Sequence, residues 1–78
     1  MELEIITPEK NVFKGEVKSV LLPGNMGKFE VLNCHAPIIS SLKKGEVRIT
    51  RADNKIENIT INGGVIEMQN NKIIVLAE

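Results

Sequence analysis

Short apolar runs that alternate with turn residues are the feature of this sequence that most restricts its fold. The runs are rich in valine and isoleucine, and they cover residues 3–6, 12–22, 29–32, 37–42, 46–51, 56–61, 65–68 and 73–76. Glycine, proline, asparagine and lysine separate them, and no window shows the 3.6-residue apolar spacing of a helix. Short strands between regularly spaced turns are typical of a β-sandwich or barrel. The sequence therefore predicts one all-β domain over residues 1–78.

The spacing within the runs also predicts where the sheet is irregular and which side chains are buried. Gly15 interrupts a long β-branched run, which indicates a β-bulge or a close backbone approach. The step from Ile56 to Ile59 breaks strict alternation, and a second bulge is expected there. The residues expected to fill the core are Val17, Val20, Val31, Val47, Ile49, Ile61, Val65 and Val75. A chain this short buries only about 60% of its surface, so this core is thin. Either the core is modest but sufficient by itself, or a partner protein complements it.

Charge and aromatic content exclude several classes of protein. Ten basic and ten acidic residues balance, whereas a nucleic-acid binder needs a basic surface that neutralises phosphates. Tryptophan and tyrosine are absent, so stacking platforms for bases are scarce. The N-terminal residues do not form a signal peptide, and no apolar run approaches the roughly 20 residues that cross a bilayer. We therefore expect a cytosolic protein that binds no nucleic acid and does not insert into the membrane.

Few residues of the chain could carry chemistry. Cys34 is the only cysteine and His35 the only histidine, so the sequence offers no internal disulfide and no zinc-type spacing. Adjacent residues on an extended chain point in opposite directions, which places this pair badly for a nucleophile and its base. The glycines lack the lysine and serine or threonine of a phosphate loop, and the acidic residues are scattered. No catalytic residue, cofactor or metal site is predicted. A cysteine-dependent enzyme and a small-ligand β-module remain alternatives at this point.

Five short motifs follow one another along the chain and carry a resemblance. They are Phe13-x-Gly15 with Val17 and Val20, the turn Pro23-Gly24-x-x-Gly27, His35-Ala36-Pro37 with Gly45 eight residues later, the segment 63–68 that begins Gly63-Gly64, and the final run 71–78. None is specific alone. In this order and spacing, from about Leu3 to Glu78, they resemble the β-sandwich domain of the ε subunit of F-type ATP synthases.

This resemblance implies a flattened ten-stranded β-sandwich that has no catalytic activity and no cofactor. In the family the domain sits on the central stalk of the synthase, bound to the γ subunit and resting with one end on the ring of c subunits. It rotates with both and supports the coupling of proton flow to ATP synthesis. The implied location is peripheral, at the cytoplasmic face of a bacterial plasma membrane, as part of the synthase.

The resemblance also implies two docking sites on the domain. The γ-side residues that it points to follow the His-Ala-Pro motif, and they are Ala36, Ile38, Ser40 and Leu42. The ring-side residues that it points to lie around a loop, and they are Gly27, Lys28, Phe29, Glu30 and His35.

The sequence departs from the usual family pattern in this loop and in its length. Family members commonly have an acidic residue, a second glycine and then Pro-Gly before the histidine, where this chain has Lys28, Glu30, Asn33 and Cys34. These changes alter the charge of the ring-side surface. The family usually continues with two C-terminal helices that regulate hydrolysis, so the expectation for these 78 residues is a coupling part without a helical brake.

Overall fold

The computed structural model describes all 78 residues and contains eight β-strands. The strands are β1 (Glu2–Ile6), β2 (Asn11–Gly24), β3 (Gly27–Leu32), β4 (Ile38–Leu42), β5 (Gly45–Arg51), β6 (Ile56–Ile61), β7 (Gly64–Gln69) and β8 (Lys72–Ala77). The predicted all-β class is confirmed, and each strand coincides with one of the predicted apolar runs. The structure contains no helix that is long and apolar enough to cross a membrane.

The structure has eight strands where the resemblance implied ten. The number is lower partly because β2 is a single unbroken strand of 14 residues that serves both layers of the sandwich. Its first half pairs with β1, and its second half lies between β5 and β3. A strand that passes from one layer to the other in this way counts once.

Strand β2 also closes the sheet into a flattened barrel. One layer has the order β1-β8-β7-β4, in which β1 and β8 are parallel and the other pairs are antiparallel. Strand β2 borders this layer on both sides, through its pairing with β1 and through the single pair Gly24–Leu42 with β4. The other layer has the order β3-β2-β5-β6. Strands β3 and β6 each hydrogen-bond to one neighbour only, so they are the open edges of the molecule.

The two irregularities of β2 differ in position from the predicted bulges. Gly15 pairs regularly with Leu3, and the register shifts on either side of it, at Val12 opposite β1 and at Lys18 opposite β5. The second predicted bulge is also wrong, because β5 and β6 stay in regular register from Gly45–Ile61 to Thr50–Ile56. The three-residue step from Ile56 to Ile59 arises because Ile56 lies on the outer face and Ile59 packs on the core. Bulges bend a strand and increase its twist, which suits a strand shared by two layers.

The core between the layers contains 16 buried apolar residues. Seven of the eight predicted positions belong to it, and the exception is Val65, whose side chain is 43% exposed. Side chains alternate between the faces of a strand, so only one residue of the Val65–Ile66 pair can point inward. Ile66 takes the inner position, followed by Met68, and each fully buried side chain of this size stabilises the fold by about 1.5–3 kcal/mol.

Candidate functional site

The Cys34–His35 pair has no partners that would make it a catalytic centre. Both residues are exposed in the segment between β3 and β4, and the Nδ1 atom of His35 lies 2.7 Å from the carbonyl oxygen of Ala36. No group of three or more histidine, cysteine, aspartate or glutamate side chains is arranged to hold a metal ion. The functional candidates of this molecule are therefore surfaces rather than a pocket with reactive groups.

Three of the γ-side residues named from the resemblance lie on the inner face of β4, and the fourth precedes the strand. Ala36 is exposed ahead of β4, whereas Leu42 is 4% exposed and belongs to the core. Ile38 and Ser40 share the inner face of β4 with Leu42, since Ser40 pairs with the buried residue Ile66 and Ile38 packs on the core. Strand β4 thus presents to solvent the two alternate residues, Ile39 and Ser41.

Apolar side chains continue from Ile39 across the outer face of the β1-β8-β7-β4 layer. The register aligns Ser41, Val65, Leu76 and Ile6 in one row, and Ile39, Glu67, Ile74 and Glu4 in the next. We call the apolar members of these rows the apolar strip, which consists of Ile6, Ile39, Val65, Ile74 and Leu76. Ile39 is 74% exposed and Leu76 is 56% exposed. Contiguous exposed apolar side chains of this kind are typical of docking surfaces.

The apolar strip was not predicted because of two pairs of neighbouring apolar residues, one in β4 and one in β7. Each pair leaves undecided which residues of its strand point toward the core. In Ile38–Ile39 and in Val65–Ile66, either residue of the pair could be the one that points into the core. A usable signal does lie further along each strand. Leu42 and Met68 are the last large apolar residues of β4 and β7, and counting back in steps of two identifies the inner members of both pairs.

The ring-side residues named from the resemblance are spread along strand β3. Gly27 follows the Asn25–Met26 turn of the β2–β3 hairpin, and Lys28 and Glu30 are exposed on the outer side of the strand. Phe29 is half-buried and packs on the core. His35 lies beyond the other end of β3, which is about 17 Å long at 3.3 Å per residue. These residues form a line along one open edge rather than a single loop.

A groove connects the β2–β3 hairpin to the apolar strip. It has a volume of about 350 Å³, and Met26, Phe29 and Ile39 are among its lining residues. Met26 is fully exposed at the tip of the hairpin, although it was not among the predicted site residues. Ser40 from the predicted γ-side set and Gly27 and Phe29 from the predicted ring-side set therefore line the same groove.

The turn that precedes His35 holds a cysteine in a conformation that favours glycine. The N–H of His35 donates to the carbonyl oxygen of Leu32 at 3.1 Å, which closes a β-turn over residues 32–35. Cys34 occupies the third position with φ = 64°, where a type II turn requires a positive φ. This geometry accounts for the glycine that the resembled family commonly has before its histidine.

We expect Cys34→Gly to raise the free energy of unfolding by about 1 kcal/mol, because glycine adopts positive φ without the Cβ clash of an L-residue. The measurement is urea unfolding, in which the midpoint should rise at constant slope. Asn70→Gly is the matched control, since Asn70 has φ = 53° and asparagine already tolerates this region. A midpoint that stays the same or falls for Cys34→Gly would contradict the strain assigned to this turn.

Comparisons with known proteins agree over the whole chain. The model of the β-sandwich domain of the ATP synthase delta/epsilon chain matches residues 1–78. The ATP synthase epsilon chain of Chlorobium limicola is 43% identical over 77 residues, which cover 99% of this chain and 88% of the relative. The epsilon chain of Bordetella parapertussis is 40% identical over 78 residues, and here the match covers all of this chain and 56% of the relative.

A solved structure supports the fold and the family supports the non-catalytic assignment. The central stalk and c-ring structure of Tetrahymena thermophila mitochondrial ATP synthase contains a chain that superposes with a TM-score of 0.82 at 17% identity, over 99% of this chain and 62% of that chain. The relatives are epsilon chains of the synthase and not its catalytic chains, so the prediction that this chain is not itself an enzyme is confirmed. Because the family model covers every residue and relatives exceed 40% identity, the chain belongs to the delta/epsilon chain family of ATP synthases, whose β-sandwich domain it forms.

Proposed function

We propose that this chain is a non-catalytic rotor subunit of a proton-translocating F-type ATP synthase, in which it links the γ subunit to the c ring. Family membership over residues 1–78 is the observation that carries the proposal. The chain works at the cytoplasmic face of the membrane as a peripheral part of the complex. It needs no cofactor, because its role is to hold two partners in a fixed relation and so to support the coupling of proton flow to ATP synthesis.

The γ subunit binds the face that carries the apolar strip. The segment named from the resemblance, with Ala36, Ile38, Ser40 and Leu42, leads into and forms β4, and the side chains of β4 that can reach a partner are Ile39 and Ser41. Residues with inward side chains contribute by fixing the position of the strand. Burying the exposed apolar area of the strip against γ supplies the driving force for docking.

Charges beside the apolar strip define the chemistry of the partner surface. Glu67 and Glu4 flank Ile74 on both sides in the same cross-strand row. Neither carboxylate takes part in a hydrogen bond or ion pair within 4 Å in this chain. The complementary surface on γ is therefore apolar opposite Val65, Leu76 and Ile6. It carries lysine or arginine opposite Glu67 and Glu4, because opposite charges across an interface favour the correct partner.

The c ring binds along the outer side of β3, from the hairpin tip to His35. Lys28 and Glu30 point outward on this strand, and Phe29 supports them from the inner side by packing on the core. Gly27 and His35 mark the two ends of the contact. Two of the three outward residues of this open edge, Lys28 and Glu30, are charged, and the third is Leu32. The contact is therefore mainly polar and is weakened by salt.

Mechanical stiffness follows from the closed sheet. Strand β2 runs through both layers and pairs with four other strands, so one continuous element connects the two docking surfaces. Protein interiors are packed as densely as organic crystals and deform little under load. A domain built in this way deforms little when torque passes between γ and the ring.

Reconstitution with purified γ and with a γ–ring assembly tests the proposal. We expect the chain to bind γ alone and to bind the γ–ring assembly more tightly, and we expect coupled ATP synthesis in vesicles to fall when the chain is omitted. The double variant Lys28→Glu/Glu30→Lys keeps the net charge and reverses both ring-side charges. At low salt this variant should bind the γ–ring assembly about tenfold more weakly than the parent chain does, while its affinity for γ alone should not change. A chain that fails to bind γ would overturn the proposal.

A further inference from the structure

The turn before His35 is held in a conformation that its own residues do not favour. Asn33 and Cys34 occupy the second and third positions of this turn, where proline and glycine are the residues that favour type II geometry. Cys34 has φ = 64°, a region that few residues other than glycine, asparagine and aspartate adopt readily. An interaction from outside the turn would therefore add stability that its own residues do not supply.

Asn71, which lies in the turn between β7 and β8, supplies this interaction. Its Oδ1 atom accepts a hydrogen bond from the N–H of Cys34 at 2.8 Å. Its Nδ2 atom donates to Oδ1 of Asn33, also at 2.8 Å. The amide thus bonds to both central residues of a turn that lies 37 and 38 residues away in sequence. Both functional ends of the side chain are used, which fixes its orientation.

The backbone of Asn71 is itself firmly placed. Asn70 and Asn71 form the two-residue turn of the β7–β8 hairpin, with φ values of 53° and 60°, as a type I′ turn requires. The carbonyl oxygen of Asn71 accepts a hydrogen bond from the N–H of Glu2 at 3.1 Å, which ties the hairpin to β1. Asn71 therefore connects the segment 33–36 to a part of the sheet that is well anchored.

We infer that Asn71 is a positioning residue that holds the segment with His35 and Ala36 in one conformation before any partner binds. The link compensates for a turn that lacks both proline and glycine. Its consequence for docking rests on the proposed function, in which His35 and Ala36 belong to the partner surfaces. A segment ordered in advance loses less conformational freedom on binding, so the link raises affinity without contacting the partner.

Amide hydrogen exchange at Cys34 tests the link directly in the isolated chain. Asn71→Gly retains a residue that accepts positive φ and removes the amide group. Asn70→Gly is the matched control in the same turn, because no hydrogen bond involves the side chain of Asn70. We expect exchange at Cys34 to quicken by about tenfold or more in Asn71→Gly and to stay within twofold of the parent in Asn70→Gly. Equal exchange rates in the parent chain and Asn71→Gly would overturn the inference.

Restoring the local preferences of the turn provides a rescue. The N–H of His35 closes the turn, so Asn71→Gly should also quicken exchange at His35 in the otherwise unchanged chain. In the background Asn33→Pro/Cys34→Gly the turn is favoured by its own residues, so Asn71→Gly should no longer increase exchange at position 35. Asn71→Asp keeps the Oδ1 acceptor for the N–H of Cys34, and rotation of the Asn33 amide restores the second bond, so this variant should behave as the parent chain. A rescue background that leaves the effect of Asn71→Gly undiminished would show that Asn71 acts on something other than this turn.

Docking separates the positioning role from a purely structural one. Asn71→Gly should weaken binding to the γ–ring assembly by about threefold to tenfold, while Asn70→Gly binds as the parent. The assay is run without urea, where both variants are folded, so a lower unfolding midpoint in Asn71→Gly does not account for the loss. A looser turn with unchanged docking would overturn the positioning role. If the parent chain itself fails to bind the assembly, the proposed function fails, and the exchange measurement still decides whether Asn71 holds the turn.

Discussion

Ile39→Arg is expected to weaken binding to γ by about thirtyfold or more, which corresponds to roughly 2 kcal/mol for the loss of a large apolar contact. Ile39 is the most exposed member of the apolar strip at 74%, and it also borders the groove beside the hairpin tip. Arginine would introduce a charge that must be desolvated where an apolar surface is needed. The affinity measured by titration calorimetry with purified γ is the relevant quantity.

The fold should tolerate this change. Ile39 pairs with Glu67 on β7, so an arginine at this position gains an opposite charge across the strands, and the free energy of unfolding should stay within about 0.5 kcal/mol of the parent. Ile56→Arg is the matched control, because Ile56 is 62% exposed on the outer face of the other layer. Equal loss of γ binding in both variants, or no loss in Ile39→Arg, would refute the assignment of the apolar strip to γ.

Gly64→Ala is expected to lower the free energy of unfolding by about 3 kcal/mol or more, the largest effect on stability that we predict for an exposed or half-exposed position. A Cβ atom at Gly64 would overlap the carbonyl oxygen of Leu76 and lie 3.0 Å from the Cα of Ala77. Both atoms belong to the backbone of β8, so the adjacent strand would have to move. In addition, φ at Gly64 is 148°, which L-residues rarely adopt.

Gly27→Ala separates the cost of the dihedral from the cost of the clash. Gly27 has φ = 128°, yet a Cβ atom there would meet nothing within 4 Å. We expect this variant to lose only about 1–2 kcal/mol. The difference in the free energy of unfolding between Gly64→Ala and Gly27→Ala, measured in urea, then gives the cost of the steric overlap between β7 and β8. For a domain of this size, 3 kcal/mol corresponds to a decrease in Tm of roughly 12–24 °C. Equal losses in the two variants would show that backbone contact at Gly64 is unimportant.

The amino-acid sequence by itself determined the strands and most of the core. Turn residues such as Gly63–Gly64 and Asn70–Asn71 break the chain at fixed points, and β-branched residues between them favour extended structure over helix. Alternation within a run identifies partners on the same face, so Val47 and Ile49 were assigned correctly to the core. These are local properties, which short stretches of sequence contain in full.

Tertiary structure alone decided the features that depend on contacts between distant strands. Alternation relates the residues of one strand to each other, but it does not specify that β4 pairs with β7, which places Ile39 beside Glu67. The same holds for the parallel pairing of β1 with β8, which joins the two ends of the chain. It also holds for the link from Asn71 to Cys34 across 37 residues. No local pattern encodes these contacts, because they form only when closure of the barrel brings the strand ends together.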